Sequence, residues 1–354
     1  MKTNFIQRGF GTGIGKAVLF TVGSFLISNF SLFAADVPEK SSVEPVVIML
    51  SPGVTGEDIQ SALNSLPDAG GEVVLPAGTF SIRQPIVLHR DFQTLRGAGT
   101  STVLRLADDA NCPVVIMGEP VNHPKQTVRE LCVRDLSIDG NRTQQHREVW
   151  RQMGEGSQIR NNGITVQGVA DSLVRNVVTT ECRSGGLVTT RDVRHLTVRG
   201  LESFANEFDG LACYETENCV FADLNLHDNP GAGISLDLAF NHNVVSNAML
   251  NSNDLGVFMR SSRDNQFLNV SIENSHHNGV FMAHAVVETD HGLQPAPQTE
   301  CTYNAFTNLS AVNCGGAAFR VNDTTCTNNV LIHSNFDGNR TGVSEVQADL
   351  VMMR

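Results

Sequence analysis

The chain of 354 residues carries 37 acidic and 25 basic residues, which gives a formal net charge of −12. This balance argues against nucleic acid as a partner, because binding to phosphates needs a basic surface. The length exceeds the usual size of one globular core, yet no Pro/Ser-rich linker divides the chain. A solenoid resolves this difficulty, since it grows by adding coils to one continuous core.

Residues 1–34 indicate export. Three basic residues and no acidic residue precede an apolar run that ends at Phe33, which is the pattern of a secretory signal peptide. Glycine, serine and asparagine interrupt the run and make it too short and too polar for a convincing membrane span. We expect cleavage near Ala34 and a secreted or periplasmic protein without a membrane span, with an uncleaved anchor as the alternative. The mature chain then has 22 basic and 37 acidic residues, a net charge of −15.

The mature chain is expected to begin with a flexible segment, 35–49, followed by one domain over 50–354. The sequence TGED at 55–58 resembles a capping box. Apolar residues follow at i, i+3, i+4 and i+7, namely Ile59, Ala62, Leu63 and Leu66. This pattern predicts an amphipathic helix over 55–66 that covers the N-terminal end of the stack. The next segments are GGEVVLPAGTFSI, PIVLHRDFQTLRGAGTSTVLRL and VRELCVRDLSIDGNR, interpreted as the first, less regular coils.

A glycine followed by an apolar residue recurs with spacings of 23, 24, 23, 23 and 23 residues. These pairs are Gly163-Ile164, Gly186-Leu187, Gly210-Leu211, Gly233-Ile234, Gly256-Val257 and Gly279-Val280. The series is expected to continue at Ala317-Ala318 and Gly342-Val343 once a 15-residue insertion is allowed. Each unit holds two short apolar runs and an Asn/Asp-rich turn. The sequence therefore predicts an all-β right-handed parallel β-helix, a solenoid of ~23-residue coils, with loop insertions at 141–161 and 285–300.

Asparagines recur on the trailing turns, and a structural role is expected for them. They are Asn206, Asn229, Asn251, Asn274 and Asn313. Asparagine tolerates left-handed backbone geometry, and its amide can bond to the equivalent amide one coil away. The eight cysteines are interpreted mainly as small buried residues. Cys301 and Cys326 begin the similar segments CTYNAF and CTNNVL, so they should lie in adjacent coils and are the best candidates for a disulfide.

The order DIQSALNSLPDAGGEVVLPAGTFSI, LRGAGTSTVLRL, LSIDGNR and then glycine-apolar coils resembles the pectate-lyase-like superfamily of right-handed β-helices. The resemblance covers roughly 50–345. It implies a class that includes polysaccharide lyases, polygalacturonase-type hydrolases, uronan epimerases and phage tailspikes. The signatures Asn-Thr-Asp, Gly-His-Gly, Arg-Ile-Lys and Asp-Pro-His of particular members are missing. The mature chain has Lys40 and Lys125 as its only lysines, which disfavours a lysine base. No active-site residue can therefore be transferred from a known member.

Side chains alternate between the two faces of a strand, so the position four after each glycine should face outward. That column contains Gln167, Thr190, Tyr214, Asp237, Arg260 and Ala283, with His284 adjacent. Coils are spaced ~4.8 Å apart, so Tyr214, Asp237 and Arg260 should form a polar stack about 10 Å long. Proton abstraction beside a uronate carboxylate needs a base and a cation, whereas hydrolysis needs two carboxyl groups.

The stack therefore supplies candidate catalytic residues. Asp237 is the candidate acid or base, Arg260 the clamp for a carboxylate or enolate, and Tyr214 or His284 the second proton-transfer group. Asp209 and Asp228 lie on turns and could complete a site or bind Ca²⁺. The alternative is that Asp237 and Arg260 form an ordinary surface ion pair.

Substrate binding is predicted for Gln167, for Trp150 in the first insertion, and for Phe258 and Phe281. The two phenylalanines would form a sugar platform, or would be covered by a loop. The leading hypothesis is an enzyme acting on a polyuronate by lyase, C5-epimerase or glycoside hydrolase chemistry. The alternatives are a non-enzymatic glycan-binding module and a structural solenoid. A monomer is expected, and the global charge requires a local arginine cluster or a bridging cation to hold an acidic polymer.

Overall fold

The computed structural model describes residues 46–147, 159–289 and 292–354. The predicted signal peptide and Trp150 lie outside the described residues. Val46–Met49, assigned to a flexible segment by the sequence, instead form a strand that pairs in parallel with Gly71–Val74. Within the described residues, no helix is long and apolar enough to cross a membrane.

Short strands make up nearly all of the regular structure. Helix α1 spans Gly56–Ser65, and a single turn of 3-10 helix spans Arg142–Gln144. The first strands are β1 Val46–Met49, β2 Gly71–Val74, β3 Gly78–Ile82, β4 Ile86–Leu88, β5 Gln93–Arg96, β6 Thr102–Leu106, β7 Val115–Met117, β8 Val128–Arg129, β9 Cys132–Asp139, β10 Ile164–Gln167, β11 Val169–Ala170, β12 Leu173–Thr180, β13 Leu187–Thr190, β14 Val193–Arg194 and β15 Thr197–Phe204. The others are β16 Leu211–Glu217, β17 Val220–His227, β18 Ala232–Asn241, β19 Val244–Asn251, β20 Leu255–Arg260, β21 Gln266–Glu273, β22 Val280–Ala283, β23 Val286–Thr289, β24 Gly292–Pro295, β25 Ala305–Val312, β26 Ala317–Val321, β27 Asn329–Ile332, β28 Thr341–Glu345 and β29 Val351–Met353.

Two long parallel sheets run along the stack. Sheet A follows the order β1-β2-β5-β9-β12-β15-β17-β19-β21-β25-β27-β29, and sheet B follows β28-β26-β22-β20-β18-β16-β13-β10-β7-β4. In the regular region each coil gives one strand to sheet B and the next strand to sheet A, so equivalent residues of successive coils lie side by side. The architecture is a parallel β-solenoid of about 12 turns, as the sequence predicted.

The glycine repeat sets the register of sheet B. The apolar residue after each glycine pairs with its equivalent in the next coil and is fully buried, from Ile164 through to Val280. After the insertion, Val280 pairs with Phe319, so Ala318 occupies the glycine position. The predicted alignment at Ala317-Ala318 is therefore wrong by one residue. Two adjacent small residues left the register undetermined, and the buried ring of Phe319 sets it.

Close approach of successive coils explains why the repeat uses glycine. A Cβ added at Gly256 would lie 2.5 Å from the carbonyl oxygen of Gly279, and one added at Gly163 would lie 2.5 Å from that of Gly186. The backbone of the next coil therefore occupies the space of a side chain. Glycine is therefore a steric requirement at Gly163 and Gly256, whereas the last coils accept a Cβ at the equivalent position, Ala318.

The long strands of sheet A are bent at one residue each. The bent residues have φ between 51° and 67° and are Asp135, Asn176, Gly200, Asp223, Asn247, Asn269 and Asn308. Such backbone geometry favours Gly, Asn and Asp. Amides bond along much of this column, for example from Asn308 Nδ2 to Asn269 Oδ1 at 2.9 Å.

Buried asparagines form two further ladders. One runs from Asn206 to Asn229 and Asn253 through amide contacts of 3.0 and 2.9 Å. The other contains Asn243, Asn265, Asn304 and Asn329. The predicted structural role is confirmed for Asn206 and Asn229, while Asn274 Nδ2 and Asn251 Oδ1 form an exposed contact of 3.2 Å. Asn313 adopts a φ of 55°, which is the left-handed geometry expected for it.

All eight cysteines are free thiols in the structure. Cys301 and Cys326 are both fully buried and lie in adjacent coils, where the pKa of Cys326 is raised by its hydrogen bond with the Cys301 side chain and by burial. The predicted adjacency is therefore confirmed. The two thiols are in contact and are not joined by an S–S bond in the structure, so the disulfide stays a prediction.

Helix α1 begins with a complete capping box, in which Thr55 accepts a hydrogen bond from the Asp58 N–H and Asp58 accepts one from the Thr55 N–H. Ile59 and Leu63 are fully buried in the hydrophobic core, next to the first coils. The helix contacts β2, β3 and β4. Its function as an end cap stays a prediction.

Candidate active site

The predicted polar stack forms on the outer face of sheet B. Tyr214 and Asp237 are register partners in β16 and β18. Arg260, at the end of β20, donates a hydrogen bond from Nη2 to Asp237 Oδ2. Three side chains predicted to share a column therefore lie in consecutive coils, because the strands place equivalent residues next to one another.

Asp237 is the most buried member of the stack, with 4% of the residue exposed. Its carboxylate accepts the bond from Arg260 and a second bond of 2.9 Å from the Leu238 N–H. Burial raises the pKa of Asp237, and the charge and hydrogen bond of Arg260 oppose the shift. About a quarter of the Arg260 side chain, 27%, stays exposed. The pair therefore presents a cation to solvent, with its carboxylate below the surface.

Asp209 belongs to the same cluster. It lies on the turn before β16, where its Oδ1 accepts a hydrogen bond of 2.7 Å from the Ala232 N–H of the next coil. Burial raises the pKa of Asp209 to about 6; the Ala232 bond and Arg160 oppose the shift, and Asp237 adds to it. The pKa of the Tyr214 hydroxyl is raised by burial, then by the charges of Asp209 and Asp237. A carboxyl group that titrates near neutral pH is suited to proton transfer.

Arg160 and Phe208 border this cluster. The Cζ of Arg160 lies 4.8 Å from the ring centroid of Phe208, and 42% of Phe208 is exposed. From the sequence, Arg160 was placed only within the 141–161 insertion, and no sequence pattern indicated that Phe208 lies at the site. Both residues lie on turns, where the strand alternation that identified the stack does not apply.

Phe258 and Phe281 form the predicted aromatic pair. Their rings are nearly parallel, with an interplanar angle of 7° and centroids 5.5 Å apart, and both side chains are partly exposed. The Cζ of Arg260 lies 4.9 Å from the centroid of Phe258. The aromatic pair is therefore continuous with the polar stack.

His284 was predicted beside the stack, but its contacts are with a later coil. The His284 N–H donates to Asp323 Oδ2 at 2.7 Å, and Nδ1 lies 3.2 Å from the same oxygen. The pKa of Asp323 is lowered overall. Burial raises this pKa, but hydrogen bonds from Thr325 and His284 lower it by more. Strand β22 ends at Ala283, so strand alternation does not set the direction of His284, and its role as the second proton-transfer group stays a prediction.

Gln167 was predicted to contact substrate, but only 1% of it is exposed. Its side-chain amide nitrogen, Nε2, donates to the backbone carbonyls of Glu119 and Val121, the latter at 2.7 Å. The prediction fails because the 118–121 segment covers this end of the sheet. Thr190, in the next coil, is also 1% exposed. The accessible part of the column therefore begins near Tyr214.

The two weak metal candidates do not converge. Asp228 Oδ2 lies 2.7 Å from His227 Nδ1, whereas Asp209 binds the Ala232 N–H. In the described ranges, no three His, Cys, Asp or Glu side chains meet in a group suited to a metal ion. Within the described residues, Asp209 and Asp228 do not belong to a group of this kind.

Two pockets lie away from the polar stack. A cavity of about 530 Å³ lies beside α1 and is lined by residues that include Gln60, His89 and Cys112. A groove of about 480 Å³ follows the bends of sheet A and is lined by residues that include Asp223 and Met249. Neither contains a residue of the polar stack.

The fold is a parallel β-helix, built from two long parallel sheets that run along the stack. A family model described as periplasmic copper-binding protein (NosD) matches residues 134–294, which is less than half of the chain but includes the polar stack. Comparison with curated protein sequences gives no significant match.

Solved structures support the same fold. The A-module of mannuronan C-5 epimerase AlgE4 from Azotobacter vinelandii is 16% identical, with a TM-score of 0.54 over 84% of this chain and 95% of that one. An N-terminal fragment of gene product 12 from bacteriophage phi29 is 14% identical, with a TM-score of 0.64 over 84% of this chain and 52% of that one. This chain therefore spans about half of that phage fragment. Identities this low establish the fold alone.

Proposed function

We propose that the protein is an exported enzyme that acts on an acidic polysaccharide at the outer face of sheet B. The observation that carries this proposal is the cluster of Asp209, Tyr214, Asp237 and Arg260. Asp237 binds the partly exposed guanidinium group of Arg260, and its charge also acts on Asp209, whose pKa is raised to about 6 mainly by burial. Active sites are where burial and neighbouring charges shift pKa values in this way.

The arrangement suggests a division of roles. Asp209 transfers the proton, because its pKa lies near neutral pH and allows both protonation states. Arg260 binds the uronate carboxylate and stabilises charge that develops on it. Asp237 already accepts bonds from Arg260 and Leu238, so it positions the guanidinium rather than exchanging a proton. Tyr214 is the second proton-transfer group on the same face.

A local cation is required because the protein as a whole repels an acidic polymer. Arg260 and Arg160 supply positive charge where the mature chain carries a net charge of −15. The similarity to a mannuronan epimerase module supports an acidic polysaccharide as substrate. The periplasmic family description supports export. Copper is not proposed, since the described residues offer no group of three suitable ligands.

The test is turnover of polymannuronate, polyguluronate and polygalacturonate, with neutral polysaccharides as comparison and with or without Ca²⁺. Ultraviolet absorbance from an unsaturated uronate reports β-elimination, new reducing ends report hydrolysis, and solvent deuterium in an uncut chain reports epimerisation. We expect one of these signals with acidic polymers alone. Asp209→Asn should lower kcat at least about 100-fold, as expected for loss of a proton-transfer group.

Two variants separate the roles of the pair. Arg260→Ala should raise KM and lower kcat, while Asp237→Asn should act mainly by releasing Arg260. Arg199→Ala is the matched control, because Arg199 is an exposed arginine that binds Asp223 on sheet A. If both Asp209→Asn and Arg260→Ala kept full activity, the proposed site would be wrong. If no acidic polymer gave any of the three signals, the proposal that the protein is an enzyme acting on acidic polysaccharides would be wrong.

A non-enzymatic glycan-binding module is the second candidate. The partly exposed pair of Phe258 and Phe281 favours it, since an apolar aromatic surface binds sugar rings without any chemistry. Binding of acidic polymers without turnover, and without an effect of Asp209→Asn on affinity, would support this function.

A further inference from the structure

The column two positions after each repeat glycine changes its chemistry along the solenoid. In the earlier coils its members are small and buried: Thr165, Val188, Ala212 and Ser235. In the later coils they are Phe258, Phe281 and Arg320, which pair in register from strand to strand. The outer face of sheet B therefore becomes aromatic and cationic just beyond Asp237 and Arg260.

The two rings stack on each other and form one apolar strip that is partly exposed. Phe258 and Phe281 stack with an interplanar angle of 7°, and Arg260 lies over Phe258 at 4.9 Å. Coils are ~4.8 Å apart, so the distance from the coil of Arg260 to that of Arg320 is about 10 Å along the axis. A guanidinium group thus lies at each end of the aromatic pair.

Arg320 is exposed and differs from Arg260 in its partners. Its Nε and Nη2 lie 3.4 and 3.2 Å from Asn322 Oδ1, and it makes no ion pair with the residues that the structure describes. Its charge is not neutralised by a neighbouring carboxylate there. An arginine in this state can accept an external carboxylate in a charge-assisted, bidentate contact.

We propose that Phe258, Phe281 and Arg320 form a second subsite, which takes the sugar next to the one held at Arg260 and selects a uronate there. The apolar face of the sugar ring packs against the exposed side of the two stacked phenylalanines, and its carboxylate binds Arg320. This inference rests on the proposed function of the same face. It implies that a polymer with carboxylates on neighbouring residues binds better than one with isolated carboxylates.

The test measures binding separately from turnover. The affinity of wild-type protein and Arg320→Ala is measured by calorimetry at low salt with polygalacturonate and with its carboxyl-reduced, neutral form. Arg320→Ala should lose about tenfold in affinity for the acidic polymer, the size expected for a charge-assisted hydrogen bond, and nothing for the neutral one. Phe281→Ala should weaken binding of both polymers, because an apolar contact with the sugar ring does not depend on the carboxylate.

Arg199→Ala again serves as the control, since it removes the same charge from sheet A. Added salt should reduce the wild-type affinity more than that of Arg320→Ala. If wild type turns over an acidic polymer and Arg320→Ala binds it equally well, the subsite is wrong and the proposed function stands. If wild type neither binds nor converts any acidic polymer, both are wrong. Equal losses in Arg320→Ala and Arg199→Ala would also overturn the subsite.

Discussion

Replacing Asp209 with asparagine should make the protein more stable at pH 8 and leave its stability unchanged near pH 4. Burial raises the pKa of Asp209 from 3.8 to about 6 in the folded protein. The folded state therefore binds this proton more tightly than the unfolded state, and the stabilisation is lost as pH rises from about 4 to about 6. Asparagine has a similar shape and keeps an oxygen to accept the bond from the Ala232 N–H.

The size of the effect follows from the shift. Two pKa units correspond to about 3 kcal/mol, and we expect about 2 kcal/mol because the side chain keeps some contact with solvent. Urea unfolding of wild type and Asp209→Asn at pH 4, 5, 6, 7 and 8 measures the difference directly. Asp209→Asn should therefore be more stable than wild type at pH 8 and also less active. The reason is that the ionised Asp209 carboxylate, which the proposed reaction uses, destabilises the folded wild-type protein at that pH.

Asp223→Asn is a control of opposite sign. Hydrogen bonds from Asn247 and then Arg199 lower the pKa of this exposed carboxyl group. Its substitution should therefore reduce stability at pH 8, and the difference should vanish below the lowered pKa. A difference between Asp209→Asn and wild type that is independent of pH, or a loss of stability at pH 8, would refute the account of Asp209.

Three further substitutions test the stacking and the ion pair by urea unfolding. Asn265→Ala should cost about 3 kcal/mol, because it leaves buried ladder partners without bonds, while the exposed Asn251→Ala should cost less than about 1 kcal/mol; equal costs would contradict the ladder. Gly256→Ala should cost about 3 kcal/mol from the 2.5 Å contact with the next coil, and a neutral result would show that the coils can separate. Arg260→Ala should cost about 3 kcal/mol by leaving Asp237 buried and unpaired, and adding Asp237→Asn should recover part of it; additive effects would mean that the pair is not coupled.

The features that the sequence revealed are those that repeat for a steric reason. The period could be read from the glycines because the next coil's backbone lies within 2.5 Å of a Cβ at Gly256. Burial of Ile164 and its equivalents followed from strand alternation. For the same reason the contact between Asp237 and Arg260 could be predicted from register alone.

The sequence was less informative where the repeat stops. His284 follows the last residue of β22, so alternation no longer determines its direction, and it turns to Asp323. Gln167 keeps the predicted register, but the segment that covers it is not part of the repeat. Phe208, which contacts Arg160 at the border of the cluster, lies on a turn. There the spacing of residues along the chain does not predict the direction of a side chain.

The partial burial of Asp209 could not be predicted either. The sequence placed it on a turn beside the site, and a turn residue is usually exposed. Its raised pKa depends on how the next coil, through the Ala232 N–H, encloses the carboxyl group. Neighbouring turns must be positioned in three dimensions before that enclosure can be recognised.

The most direct measurement is a crystal structure of the Asp209→Asn variant with a bound oligouronate. The account predicts a sugar carboxylate within hydrogen-bond distance of Arg260, with the chain continuing over Phe258 and Phe281. An oligouronate bound in the groove of sheet A near Met249, or beside α1, with the face of Arg260 left bare, would contradict it.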